Sequence, residues 1–135
     1  MRLDLEHWRS LAQPIYEVYP QEPEDSAGVD IEINIVAGLF VTRVEAPAQI
    51  LVHDPAQRKA GCHDYLLFER FTAGTGRGEV GDVCFTTRPQ QLHLIDMSRR
   101  YVSVKRRSRS AGVCIPHALI GYTPGVEPAF ASLAL

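Results

Sequence analysis

Short runs of alternating apolar and polar residues dominate the chain, and turn signals cut them at intervals of roughly 8–12 residues. Ile31–Val36 alternates with period two. Leu39–Glu45 is β-branched and apolar, and Gln49–His53 follows the break at Pro47. Tyr65–Phe71 is a strong strand. Ile15–Tyr19, Asp82–Thr87, Leu92–Asp96, Tyr101–Lys105 and Ala111–Ile115 follow the same pattern. Alternation sends successive side chains to opposite faces, so each run buries one face and must pair with its neighbours to do so. About nine or ten short strands of this kind predict a mainly β fold, a small barrel or sandwich. Strands do not alternate with helices, which excludes a doubly wound sheet. Only the chain ends read as helical. Asp4–Gln13 places Leu5, Trp8, Leu11 and Ala12 at helical spacing between a capping Asp4 and Pro14. Pro116 opens a short C-terminal helix, His117–Ile120.

A chain of 135 residues fits one domain, 1–135, and can bury a core without disulfides. Apolar residues make up 45% and the formal net charge is -2, so nothing global points to nucleic acid or a membrane surface. Cys62, Cys84 and Cys114 form no CxxC pair, which argues against a disulfide framework or a structural zinc. They read as reduced thiols, with Cys84 and Cys114 as inert filler in apolar strands. The first residues carry no apolar leader, and no apolar run approaches the ~18 residues of a membrane span. The expectation is a cytoplasmic protein with no membrane partner.

Reactive constellations are sparse. Gly74-Thr-Gly-Arg-Gly78 lacks the phosphate-loop pattern and precedes a strand, so it reads as a hairpin turn. The histidines include no HxH or HExxH pair. A metal would have to be assembled from the scattered His53, His63 and His93, and neither metal nor cofactor is expected. No GxSxG elbow is present and no catalytic residue is assigned. Basic residues concentrate at Arg99, Arg100, Lys105, Arg106, Arg107 and Arg109. They read as one wet, basic strand face, and Arg99 and Arg100 could also reach the acidic N-terminal segment or an acidic effector.

Several segments, in order, carry a resemblance. Glu6-His-Trp-Arg-Ser leads to Ile15-Tyr-Glu-Val-Tyr, and His53-Asp-Pro follows. Then come Asp64-Tyr-Leu-Leu-Phe-Glu-Arg-Phe-Thr-Ala-Gly and Arg88-Pro-Gln-Gln-Leu-His-Leu-Ile-Asp-Met-Ser-Arg-Arg-Tyr. The last is Val113-Cys-Ile-Pro-His-Ala-Leu-Ile-Gly-Tyr-Thr-Pro. Together they resemble the N-terminal, cupin-like effector-binding domain of AraC-type transcription regulators. The chain departs from that pattern at Pro89-Gln90-Gln91, where the family has Pro-Gly-Asp, and at Arg100-Tyr101, where it often has Pro.

The resemblance implies a β-barrel that binds a small-molecule effector and relays it to a C-terminal DNA-binding domain absent from this chain. DNA would be a partner only through that missing domain, and a homodimer is left open. A barrel pocket is lined by alternate strand residues. The parity Tyr65, Leu67, Glu69, Phe71 is taken as inward, with Tyr65, Glu69 and His93 as the ligand-binding residues. The reading is a sensor and not an enzyme. The competing readings are a metal-dependent cupin enzyme, an isomerase or oxygenase, and a dimerisation module with a vestigial pocket.

Overall fold

A computed structural model describes residues 1–22, 28–57 and 64–134. Cys62 and His63 lie outside the described residues. Near the N-terminus, Asp4 caps helix α1 (Leu5–Ala12) by accepting the His7 amide at 2.8 Å. Trp8 and Ala12, four residues apart, form its buried stripe. Trp8 Nε1 donates to Gln49 Oε1 at 2.9 Å, so the indole is buried with its polar handle satisfied.

The rest is β-structure. The strands are β1 (Arg2–Leu3), β2 (Glu17–Pro20), β3 (Val29–Val36), β4 (Leu39–Ala46), β5 (Gln49–His53), β6 (Tyr65–Ala73), β7 (Gly76–Val80), β8 (Val83–Thr87), β9 (Gln91–Asp96), β10 (Tyr101–Lys105), β11 (Ser108–Pro116) and β12 (Phe130–Ala134). One sheet runs β1-β3-β4-β11-β6-β9-β12 and the other β2-β5-β10-β7-β8, with antiparallel neighbours throughout. The mainly β sandwich read from the alternation is therefore the observed architecture.

Two apolar clusters fill the space between the sheets. Trp8, Ala12, Val18, Val29, Ile31, Ala46 and Leu51 form one. Leu67, Val80, Ile95, Met97 and Tyr101 form the other.

Three elements correct the sequence reading. The short C-terminal helix is a single tight turn, His117–Leu119, halted before Gly121, whose φ of 68 is left-handed. The chain then adds β12 to the edge of β9, from Phe130 opposite Ile95 to Ala134 opposite Gln91. The Gly-rich segment is only partly a turn. Gly74 turns the chain at φ 84, but Gly76–Val80 is strand β7. Glycine is needed there for close approach. A Cβ on Gly78 would overlap the Phe85 ring, and one on Gly76 would press on the Val104 carbonyl and the Thr87 hydroxyl. The third correction is Cys84, which is exposed on β8 and does not fill the core.

The turn that lacks the family's glycine keeps a glycine-like backbone. Gln90 follows Pro89 at φ 68, the left-handed position that a type II turn assigns to Gly or Asn. Gln90→Gly is expected to stabilise the chain by roughly 0.5–1 kcal/mol, since the Cβ penalty outweighs the added unfolded-state entropy. Urea denaturation measures it, and an unchanged or lowered midpoint would contradict the strain assigned to Gln90.

Candidate ligand site

Three strands change character at the same level of the sandwich. On β6 the inward residues run Leu67, Glu69, Phe71, on β9 Ile95, His93, Gln91, and on β10 Tyr101, Ser103, Lys105. Each steps from the apolar cluster to a polar layer in two residues, because alternation keeps both on one face. Register then assembles the layer. Glu69 lies opposite His93 in one sheet, and Lys105 lies opposite Gly76, whose other partner is Thr87, in the facing sheet.

Lys105 Nζ reaches across the sandwich to Glu69 Oε2 at 3.0 Å, with about nine-tenths of both side chains buried. The ammonium also stands 5.1 Å from the Phe71 ring centre. A buried ion pair must recover several kcal/mol of desolvation per ion, and does so only with good geometry and further hydrogen bonds. Here the further bonds are incomplete. Glu69 Oε1, Thr87 Oγ1 and the Tyr101 hydroxyl are buried without a hydrogen bond of good geometry, although the Tyr101 hydroxyl lies close to the Glu69 and Ser103 side chains. Buried orphans of this kind are uncommon, and a bound polar molecule is one way to satisfy them. Lys105→Met alone is expected to cost about 3–5 kcal/mol by stranding the Glu69 charge, whereas Glu69→Gln with Lys105→Met recovers most of it. Equal losses in the single and double variants by denaturant melts would contradict the pairing.

Aromatic rings wall the layer. Phe85 stacks on Phe130 at 4.1 Å and meets the His93 ring edge-on at 5.1 Å. Burial holds the His93 imidazole below its ordinary value, against an opposing pull from the Glu69 charge. Burial first, then Glu69, raises the Tyr101 phenol well above its usual range, so it stays a neutral hydroxyl. The same two causes push the Cys114 thiol up to about 11 and leave it unreactive at neutral pH.

The sign for His93 follows directly. The unfolded chain takes up a proton near 6.5 while the folded site resists it, so U binds more protons than N in that range. His93's contribution is present above about pH 6.5 and is lost as the pH falls below it. His93→Gln should flatten the fall in urea midpoint between about pH 7 and 5. An unchanged slope would place the acid sensitivity elsewhere.

The structure brings Glu69 and His93 face to face but leaves Tyr65 apart. Tyr65 is half-buried against the apolar cluster, four residues and roughly 13 Å of strand from Glu69. Lys105, Ser103, Tyr101 and Thr87 were not singled out from the sequence as site residues. Lys105 overturns the wet-face reading of β10. Tyr101, Ser103 and Lys105 point inward and are buried, whereas Arg99, Arg100, Arg106, Arg107 and Arg109 are exposed. The sequence pointed to Arg99 and Arg100 for a contact with the acidic N-terminal segment; the residue that makes one is Arg107, to Glu22 at 2.8 Å.

His53 is fully buried with Nδ1 2.8 Å from the Ile15 carbonyl oxygen and Nε2 2.6 Å from that of Met97, so both nitrogens are engaged. Among the described residues no three His, Cys, Asp or Glu side chains converge as a metal-ligand set. Asp96, also fully buried, anchors the C-terminal segment. It accepts from Ser98 Oγ at 2.7 Å and from the Tyr122 hydroxyl at 3.1 Å, and His117 Nε2 stands 3.1 Å away.

No family model matches the chain, and no curated protein matches it in sequence. Solved structures do match in fold. The AraC-like transcriptional activator CuxR superposes with a TM-score of 0.78 over 89% of this chain at 17% identity. Bacillus subtilis oxalate decarboxylase, described for its Mn(II) centres, superposes at 0.50 over 96% at 10% identity. The chain spans 48% of the CuxR chain and 41% of the oxalate decarboxylase chain. At these identities the likeness is one of fold, and it makes the sandwich cupin-like. No helix among the described residues is long and apolar enough to cross a membrane.

Proposed function

We propose that this chain is the effector-sensing domain of an AraC-type transcription regulator, and that it is not an enzyme. A small polar effector binds in the layer around Glu69, Lys105 and His93. Binding is relayed to a DNA-binding domain outside this chain, and the regulator works as a homodimer in the cytoplasm. The observation that carries the reading is the buried Glu69–Lys105 pair with its incompletely hydrogen-bonded neighbours. The charges of the pair cancel and His93 is held neutral by burial. The layer therefore suits a ligand that brings both hydrogen-bond donors and acceptors and no net charge. Such a ligand shifts the protein toward whichever arrangement of the sheets binds it more tightly. Fold likeness to CuxR agrees with a regulator, but function is argued here from the site.

A thermal-shift screen of polyols, sugars, neutral amides, small carboxylates, aromatic acids and divalent metals tests the proposal. A hit at a hundredfold over its Kd should raise Tm by roughly 10 °C. The Glu69→Gln/Lys105→Met variant should lose that shift while remaining folded. A shift with metal alone, reversed by a chelator, would overturn the sensor in favour of a metal-dependent cupin enzyme. A neutral hit unaffected by the double variant would overturn the site.

A further inference from the structure

The polar layer around Glu69, Lys105 and His93 is closed by different means on its different sides. Towards α1 the first apolar cluster fills the gap, with Trp8 bonded to Gln49. Below the layer, Leu67, Ile95, Met97 and Tyr101 form an apolar floor. Beyond Lys105 the chain crosses from one sheet to the other at 47–48, 74–75, 88–90 and 106–107. Backbone contacts bind two of those crossings together. The Arg106 amide donates to the Thr75 carbonyl at 3.0 Å, and Gly74 lies so close to the Arg107 carbonyl that a Cβ there would overlap it.

The remaining side is the gap between β8 and β12, the last strand of each sheet. Among the described residues no backbone hydrogen bond joins β12 to the facing sheet. Two side chains span the gap instead. Phe85 and Phe130 stack ring on ring at 4.1 Å, 15° from parallel, and each meets the His93 ring edge-on, at 5.1 and 5.4 Å. Phe85 lies down on β7, where Gly78 leaves room for its ring. Phe130 stands opposite Ile95 and so faces inward. The next inward position on β12 is Ser132, opposite His93, and it is short and exposed. Burial of His93 on this side therefore depends on the two rings.

β12 is held firmly only at its start. The Asp96 amide donates to the Ala129 carbonyl at 2.9 Å. The Tyr122 hydroxyl stands 3.1 Å from Asp96 Oδ2 and 3.0 Å from the Pro128 carbonyl oxygen. Past that anchor the strand pairs with β9 alone, and Ala131–Ala134 are exposed. An edge strand with few buried contacts opens locally at a fraction of the cost of global unfolding.

We propose that β12 is the gate of the ligand site. The strand swings from its anchor at Ala129, the Phe130 ring leaves Phe85, and the ligand passes between β8 and β12 to reach Glu69, Lys105 and His93. Two ring faces wall the passage, which suits the neutral ligand that the layer itself favours. Exchange of ligand is then paced by β12, with Phe130 as the residue that shuts the site. This gate presupposes the reading of the layer as a ligand site, but its test needs no ligand.

Diethyl pyrocarbonate, a small neutral reagent that acylates neutral imidazoles, is the probe, with modification of each histidine of the full chain read by peptide mass spectrometry. Phe130→Ala is expected to speed modification of His93 by roughly tenfold or more, while His53, fully buried on β5, keeps its wild-type rate. Ala131→Cys with Leu94→Cys, in a chain carrying Cys62→Ser and Cys84→Ser, places a disulfide between β12 and β9 on the outer face of the sheet. Opposite residues of an antiparallel pair lie about 4.5–5.5 Å apart, within reach of that bond. The oxidised form should modify at His93 roughly tenfold more slowly than the reduced form, again with His53 unchanged. A His93 rate indifferent to both the disulfide and Phe130→Ala would overturn the gate. So would parallel changes at His93 and His53, which mark access through global unfolding. Either of those results leaves the effector reading to the thermal-shift screen, whereas a gate that responds as expected while the screen finds no ligand counts against the effector reading alone.

Discussion

The ion pair between Glu69 and Lys105 ties the two sheets together at the level where the apolar core ends. It explains why a lysine tolerates an inward position on β10. A buried pair of opposite charges is a poor device for stability alone, because apolar residues of equal volume commonly do as well. It is a good device for holding a polar interior in one arrangement until a ligand competes for its hydrogen bonds. The incompletely hydrogen-bonded oxygens of Glu69, Thr87 and Tyr101 beside it would favour such a ligand.

Around this layer, buried hydrogen bonds link the sheets to both ends of the chain. Trp8 fastens the N-terminal helix to Gln49, the residue opposite Lys105 on β5. His53, four residues further along β5, contacts the carbonyls of Ile15 and Met97. A change at the Glu69–Lys105 layer therefore has a short, packed route to the N-terminal helix. Asp96, held by Ser98 and Tyr122, fastens the connection leading to β12 at the other edge. Coupling of this sort needs only that the ligand prefer one of two packings.

Much of the fold was legible in the sequence because alternation is a local signal. Every strand read from period two is present, and so is the capped helix, with small shifts at its ends. The features that were not legible are set by distant partners. Gly76–Val80 reads as a flexible turn because its glycines carry no apolar pattern. Its strand character comes from pairing with β8 and β10, and from Phe85 covering Gly78. β12 was missed because its pattern is weak and it is recruited by the edge of β9.

The site divides the same way. Alternation allowed either parity for β6, and the one taken, with Glu69 inward and His93 opposite, is the buried one. Lys105 was read as a solvated charge because nothing local reveals the carboxylate waiting across the sandwich. Tyr65 shares the parity of Glu69 but not its level, and parity alone carries no information about depth along a strand.

The most direct measurement is a backbone and side-chain NMR map of the chain with a ligand taken from the thermal screen. Perturbations centred on Glu69, His93, Ser103 and Lys105, with the Tyr101 ring responding, are the expected result. Perturbations confined to the outer sheet faces, with those interior signals unmoved, would contradict an effector site between the sheets.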